Sequence, residues 1–374
     1  MDLESAKLRL HELFARSDSP NMPEPGAQLA IYGAGNCGCD ALRVLREHGY
    51  HVKGFVDVNA QDNQWVHDTP CHQPGSRESV ELAASGIPIL LAVFNYTADT
   101  GQIEASLYGD GFISVLPYAI LSAKFPGHLK STFWLADRHF FQIHQMDMLR
   151  ALSLWEDDAS RDIFVESIEL RLTHNLQLLR HPDRENQYFP KDLPAPQEPI
   201  RAIDGGAYVG DTLASMLRFR VEAVAAFEPD TQNFEALRRW IRNESQHLPC
   251  PLLFPYGLGA KTAITRFQQG NAAASCVSSQ GDTAIQIVAL DEALPNFEPN
   301  FIKLDVEGAE MAALIGASAM IRRDQPRIAA CIYHRPTDFW EIPLLLRELV
   351  PAHRLHLRYH GYNGFDAVAY AIPR

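Results

Sequence analysis

Short apolar runs recur along the first third of the chain, with helical stretches between some of them. "LAIYGAGNCG" begins a strand, a turn and a helix. "HVKGFVDVN" and "IPILLAVFN" read as second and third strands, a helix covers roughly residues 97–108, and "FISVLP" is a further short strand. This strand–helix–strand rhythm predicts a small parallel sheet with helices on its faces.

From about Leu129 to Arg180 the period becomes helical. "FFQIHQMDMLRALSLW" and "SRDIFVESIELRLTHNLQLL" carry apolar residues at helical spacing and read as a connector. The proline-rich "YFPKDLPAPQEP" then marks a boundary. The rhythm resumes with the strands "IRAID", "VEAVAAFE", "PLLFPYG", "FIKLD", "RIAACIY", "RLHLRYH" and "DAVAYAI". Between Gly259 and Leu290 the pattern is less regular, with two candidate strands, "AITRFQQ" and "AIQIVAL". The last two strands lack a helix between them; "HGYNG" suits a hairpin, so one antiparallel strand is expected near the end of a mostly parallel sheet. The expected organisation is α/β: two Rossmann-like domains, 1–125 and 190–374, joined by a helical connector and linker, 126–189.

Composition narrows the function. The 374 residues are 46% hydrophobic, enough for two substantial cores, and the net charge is −13. Neither half is basic, which argues against a nucleic-acid partner, because phosphate contacts need clustered Lys and Arg. No two of the six cysteines have zinc-site spacing. "MDLESAKLRLHELFARS" is amphipathic without an apolar signal core, and the longest apolar run, Ile87 to Phe94, is too short for a membrane helix. A cytoplasmic, soluble protein is expected.

Two glycine-rich turns carry candidate chemistry. In "GAGNCG", Gly33, Gly35 and Gly38 follow a predicted strand and open a helix, and Asp57 ends the next strand. That is the context of a dinucleotide fingerprint, with the acid placed for a ribose diol. No Tyr-x-x-x-Lys pair or hydride-transfer His accompanies it, so tight packing weighs equally with a nucleotide or nucleotide-sugar ligand. In "AIDGGAYVGDT", Asp204 precedes Gly205, Gly206, Ala207 and Gly210, and Glu228 ends the following strand. The turn and Glu228 should face one another at the carboxyl edge of the sheet. Acids surround the turn and no base stands ready for a phosphate. A sulfonium nucleoside, S-adenosylmethionine, therefore fits better than a diphosphate.

With "AFEPDTQNFEAL", "FPYGLGAKTAITRF", "VALDEAL", "FIKLDVEGAEMAALIGA" and "RIAACIYHRPTDFWEIPLLLREL", this second turn makes most of residues 200–350 resemble the FkbM-type methyltransferases, in that family's order. "LDVEGAE" followed by "YH" is the most specific part. The resemblance implies a seven-stranded S-adenosylmethionine-dependent methyltransferase fold and O-methylation of sugars, glycans or related secondary metabolites, as in polysaccharide biosynthesis. It further implies that Gly205, Gly206, Ala207 and Gly210 wrap the methionine end of the cofactor, with Asp204 also among the cofactor-binding residues. Glu228 would take the ribose hydroxyls, Gly259 would lie by the adenine, and Asp305 by the methyl group. "IYGAGNCGCDALRVLREHGYHVKGFVDVN" is similar, more weakly, to domains preceding sugar-modifying transferases.

Candidate bases stand at strand tips: Asp305, Glu307 and His334, the last chosen because imidazole titrates near neutrality. Glu310 reads as a helix-start charge. Magnesium at Asp305, Glu307 and Glu310 is the lesser reading, because no Asp-Asn pair follows further along the chain. Rival functions are a nucleotide-sugar oxidoreductase or epimerase run by the first glycine turn, and a protein methyltransferase. A homo-oligomer built by the N-terminal part is a non-catalytic alternative for that part.

Overall fold

The computed structural model describes residues 1–16, 22–130, 132–178, 181–244, 248–249, 251–268, 276–277 and 283–374. Cys250, the first residues of the loop after the N-terminal helix and the end of the helical run at Leu179 and Arg180 lie outside them. The chain divides into two units. One holds residues 1–149, 162–182 and 361–365; the other holds 150–161, 183–360 and 366–374.

In the first unit the strands are β1 (Gln28–Tyr32), β2 (His51–Val56), β3 (Gln64–Val66), β4 (Thr69–His72), β5 (Ile89–Leu91) and β6 (Val115–Pro117). They form one sheet in the order β3-β4-β2-β1-β5-β6. β2, β1, β5 and β6 pair in parallel. Ala30, Val56, Ile89, Leu91 and Val115 pack with Ala83, Leu107 and Phe112 into one core. β3 and β4 form an antiparallel hairpin that the apolar pattern does not announce. Its two turn residues, His67 and Asp68, have φ of 46° and 59°. Two consecutive left-handed residues are what a two-residue hairpin turn needs.

The second unit contains β7 (Ile200–Gly205), β8 (Val221–Phe227), β9 (Pro251–Phe254), β10 (Gly257–Leu258), β11 (Ala263–Gln268), β12 (Cys276–Val277), β13 (Thr283–Val288), β14 (Phe301–Leu304), β15 (Arg327–Cys331), β16 (Arg354–Tyr359) and β17 (Ala367–Ile372). Seven of them make the main sheet, in the order β16-β17-β15-β14-β7-β8-β9, with β17 antiparallel to both its neighbours. Every residue of β14, β15 and β17 is buried. Strands covered on both faces read as unbroken apolar runs rather than alternation. The less regular stretch before Leu290 supplies most of a separate four-stranded sheet, β10-β13-β11-β12.

Strand order positions the chemistry. β7, β8 and β9 run outward to one side of the sheet, while β14 and β15 lie on the other side of β7. The order reverses between β7 and β14, and the crevice at such a reversal, outside the carboxyl ends, is where open α/β sheets hold ligands. The first unit reverses likewise between β1 and β5.

The expected connector, 126–189, is not a separate body. Its residues are shared between the two units. Helical spacing reveals the helix Asp158–Thr173 but not which neighbours cover its faces. The "HGYNG" linker also has a further structural duty: Asn363 donates to the carbonyls of Asn95 (2.7 Å) and Ala98 (2.9 Å) in the first unit.

Candidate active site

The glycine turn leaves β7 at Gly205. Gly206 has φ +75°, and a Cβ there would lie 1.8 Å from the carbonyl oxygen of Asp305. Only glycine lets the turn lie against the end of β14. Gly210, φ +98°, sits on the Trp240 ring, where a Cβ would come within 2.8 Å. Glu228 closes the turn from β8. Its Oε2 accepts from the Tyr208 N–H at 2.9 Å and its Oε1 from the Asp230 N–H at 2.8 Å. Burial pushes this carboxyl up to about 7, against the pull of those two N–H donors.

Asp204, expected among the cofactor-binding residues, is fully buried, with Lys303 Nζ 3.1 Å from Oδ1. Lys303 also donates to the carbonyls of Gly205 (3.1 Å) and Gly206 (2.6 Å). Burial raises the Asp204 carboxyl and Lys303 opposes that; Lys303 stays protonated because Asp204, Asp305 and Asp211 outweigh the cost of its own burial. Lys303 thus links Asp204 to the glycine turn. A lysine inside the apolar run "FIKL" was the available signal, since Lys is almost never fully buried unpaired. Gly259 is buried against Ile287 and Gly316, while its neighbour Leu258 packs against Gly205, so this segment borders the same turn.

At the tip of β14 the three acids separate. His334, beyond β15, points Nε2 between Asp305 Oδ1 and Glu307 Oε2, 3.5 Å from each. Its Nδ1 lies 2.9 Å from Glu310 Oε1. Glu310, read as a helix-start charge, is fully buried, and its Oε1 also accepts from the Val306 N–H at 2.8 Å. The expectation that His334 titrates near neutrality does not hold. Burial would lower it, but Glu310, Glu307 and Asp305 raise it to about 10.

Asp305 has a partner that sequence reasoning missed. The Tyr188 hydroxyl donates to its Oδ2 at 2.7 Å, across 117 positions of chain. Burial pushes Asp305 up, but Lys303, His334 and that hydroxyl hold it below the ordinary range. Burial lifts Glu307 to about 8, with His334 opposing. Glu307 also adopts φ +53° and Gly308 φ +89°, so the backbone turns sharply here. His360 holds the Asp183 carbonyl (2.6 Å) and the Tyr370 hydroxyl (2.8 Å).

The first unit repeats one device. Asp57 Oδ2 accepts from the Ala34 N–H of the glycine turn at 2.7 Å and Oδ1 from the Asn59 N–H at 2.8 Å. Glu228 makes the same pair of contacts, to the turn and to the residue two positions on. Gly38 is required by packing, because a Cβ there would lie 1.9 Å from the Gly33 carbonyl oxygen; Gly35 is open. A small pocket lies at the ends of β5 and β6, lined by Phe94, Thr100, Tyr118, Trp134, His174 and Asn363 among others.

Residues 204–363 match the methyltransferase FkbM domain. The crystal structure of a methyltransferase FkbM from Methylobacillus flagellatus is similar over 99% of both chains, at 20% identity and a TM-score of 0.81. That likeness concerns the fold. Fibrillarin from Aeropyrum pernix aligns at 13% identity over 47% of this chain and 67% of its own, with a TM-score of 0.28, which carries no argument. No curated protein matches the chain.

Proposed function

We propose that this chain, whose residues 204–363 match the methyltransferase FkbM domain, transfers the methyl group of S-adenosylmethionine to a hydroxyl of a sugar, glycan or related secondary metabolite. The observation that carries the reading is the convergence, at the β7/β14 reversal, of the glycine turn, Glu228 and the Asp305–Glu307–His334 cluster. Gly205, Gly206, Ala207 and Gly210 would cradle the methionine end, and Glu228 would accept from the ribose hydroxyls. Asp305 and Glu307 would face the acceptor.

The chemistry is an in-line displacement. The acceptor oxygen forms the new C–O bond and the S–CH₃ bond breaks. Its electron pair stays on sulfur, leaving S-adenosylhomocysteine, and the hydroxyl proton passes to the cluster. Alignment of donor and acceptor supplies up to roughly 7–11 kcal/mol in well-oriented cases, and a positioned base adds about 10²–10⁴-fold. Tyr188 fixes the Asp305 carboxylate from behind.

Calorimetry with S-adenosylhomocysteine tests the cofactor. Binding that is lost in Glu228→Ala supports the reading, and a wild-type chain that takes up none overturns it. A radiolabelled methyl-transfer screen against nucleotide-sugars, oligosaccharides, cell-envelope extracts and proteins then assigns the acceptor.

A second reading concerns the first unit, where the Asp57 contacts reproduce those of Glu228. It gives that turn a nucleotide or nucleotide-sugar. Fluorescence titration with NADH and with nucleoside diphosphate sugars tests it, and no binding of either removes it.

A further inference from the structure

The cluster at the tip of β14 has the arrangement of a metal centre. Asp305, Glu307 and His334, from two strand tips of one sheet, each offer a ligand atom, and these atoms lie within 4.8 Å of one another. Three observations separate this from an ordinary acidic patch.

The first is spacing. His334 Nε2 is 3.5 Å from each carboxylate oxygen and makes no hydrogen bond to either. Ligand atoms held about 2.1 Å from one cation stand roughly 3.4 Å apart at tetrahedral angles and about 3.0 Å at right angles. The observed separations suit the former. The second is burial. The His334 side chain is only 3% exposed, yet its Nε2 is aimed between two carboxylates with no hydrogen-bond partner. An unsatisfied buried polar atom of this kind is costly. The third is the surrounding shell. Metal-ligating histidines keep a carboxylate or carbonyl on the other ring nitrogen, and ligating carboxylates are themselves held by donors. Glu310 Oε1 stands 2.9 Å from Nδ1, and the Tyr188 hydroxyl donates to Asp305 Oδ2 at 2.7 Å. Charge points the same way: three carboxylates meet one imidazole, and the nearby Lys303 is already paired with Asp204.

We infer that Asp305, Glu307 and His334 bind a divalent cation, which displaces the Nε2 proton of His334 to solvent as it binds, with Glu310 and Tyr188 orienting the ligands. One imidazole and two carboxylates suit manganese or zinc better than the all-oxygen shell that magnesium prefers. On the methyl-transfer reading, a cation held there would take the acceptor hydroxyl at its open position. A hydroxyl bound to the cation loses its proton more readily, and the role given to a protein base is then shared with the metal.

The experiment uses the untagged full-length chain, stripped with chelator and titrated with Mn²⁺ while the paramagnetic resonance of the free ion is followed. One tightly bound Mn²⁺ per chain is expected, displaced by Zn²⁺. Asp305→Asn and Glu307→Gln should abolish the site, and Glu310→Gln should weaken it about 10–100-fold. Circular dichroism and S-adenosylhomocysteine calorimetry on each variant show that the fold and the cofactor site survive. Wild-type chain that binds S-adenosylhomocysteine but neither Mn²⁺ nor Zn²⁺ overturns the cation and leaves the methyltransferase reading standing. Mn²⁺ binding unchanged in Glu307→Gln also overturns it. Cation binding without cofactor binding keeps the metal site and removes its proposed use.

Discussion

Glu228 gives the sharpest test, because its burial sets a pH at which the cofactor site should switch. Its carboxyl is raised from 4.5 to about 7, which corresponds to roughly 3 kcal/mol against the ionised form. Between those two pH values the folded chain holds a proton that the unfolded chain releases. The contribution of Glu228 to stability is therefore greatest below pH 4.5, falls as pH rises through 7, and is constant above. Accepting two ribose hydroxyls requires the ionised carboxylate. At about pH 5.5 only ~3% of the free chain would carry it, so affinity for S-adenosylhomocysteine should be about 30-fold weaker than at about pH 8. Glu228→Ala removes two charged hydrogen bonds of ~1.5–3 kcal/mol each, a loss of roughly 10²–10⁴-fold at pH 8. It also leaves the Tyr208 and Asp230 N–H groups without their acceptor. Glu228→Gln, which keeps one acceptor oxygen, is the control: it should bind weakly and without pH dependence. Calorimetry across the pH range, with a thermal melt of each variant, reads all of this. A flat wild-type affinity from pH 5.5 to 8, or Glu228→Ala binding within a factor of about three of wild type, would refute the reasoning.

Gly206→Ala should destabilise the second unit by more than about 4 kcal/mol, because its Cβ would lie 1.8 Å from the Asp305 carbonyl oxygen at a left-handed φ. Gly35→Ala, with open space and φ −76°, should shift a urea midpoint little. Tyr188→Phe should cost about 1–3 kcal/mol by taking a buried donor from Asp305, and should lower turnover while S-adenosylhomocysteine still binds; unchanged turnover would remove Tyr188 from the mechanism. Burial lowers His174 to about 4. The unfolded chain then binds an extra proton between about pH 6.5 and 4, so acid should destabilise the first unit there by up to ~3 kcal/mol. His174→Asn, which tolerates the φ of +55°, should flatten that slope in pH-dependent melts.

Much of this protein is written locally. The apolar runs at Phe301–Leu304 and Arg327–Cys331 and the helical period of Asp158–Thr173 mark their elements, because covered strands and amphipathic helices impose their period on sequence. The two glycine turns were legible with their acids, since a turn, a strand tip and an N–H bridge involve few residues. Asp305 and Glu307 were legible as strand-end acids. What they do was not. Whether Asp204 faces a ligand or Lys303 depends on β7 lying beside β14, a pairing of Ala202 with Phe301 that no local pattern specifies. Tyr188 reaches Asp305 over 117 positions, and Glu310 turns from a helix-start charge into the partner of His334 only when β14 and β15 pair. The imidazole itself titrates near neutrality in isolation; three carboxylates brought to it by the sheet decide otherwise. The sequence alone determined the elements and the chemical types at their ends, because these depend on neighbours along the chain. Tertiary structure decided which ends meet, because charge, burial and ligand geometry depend on neighbours in space.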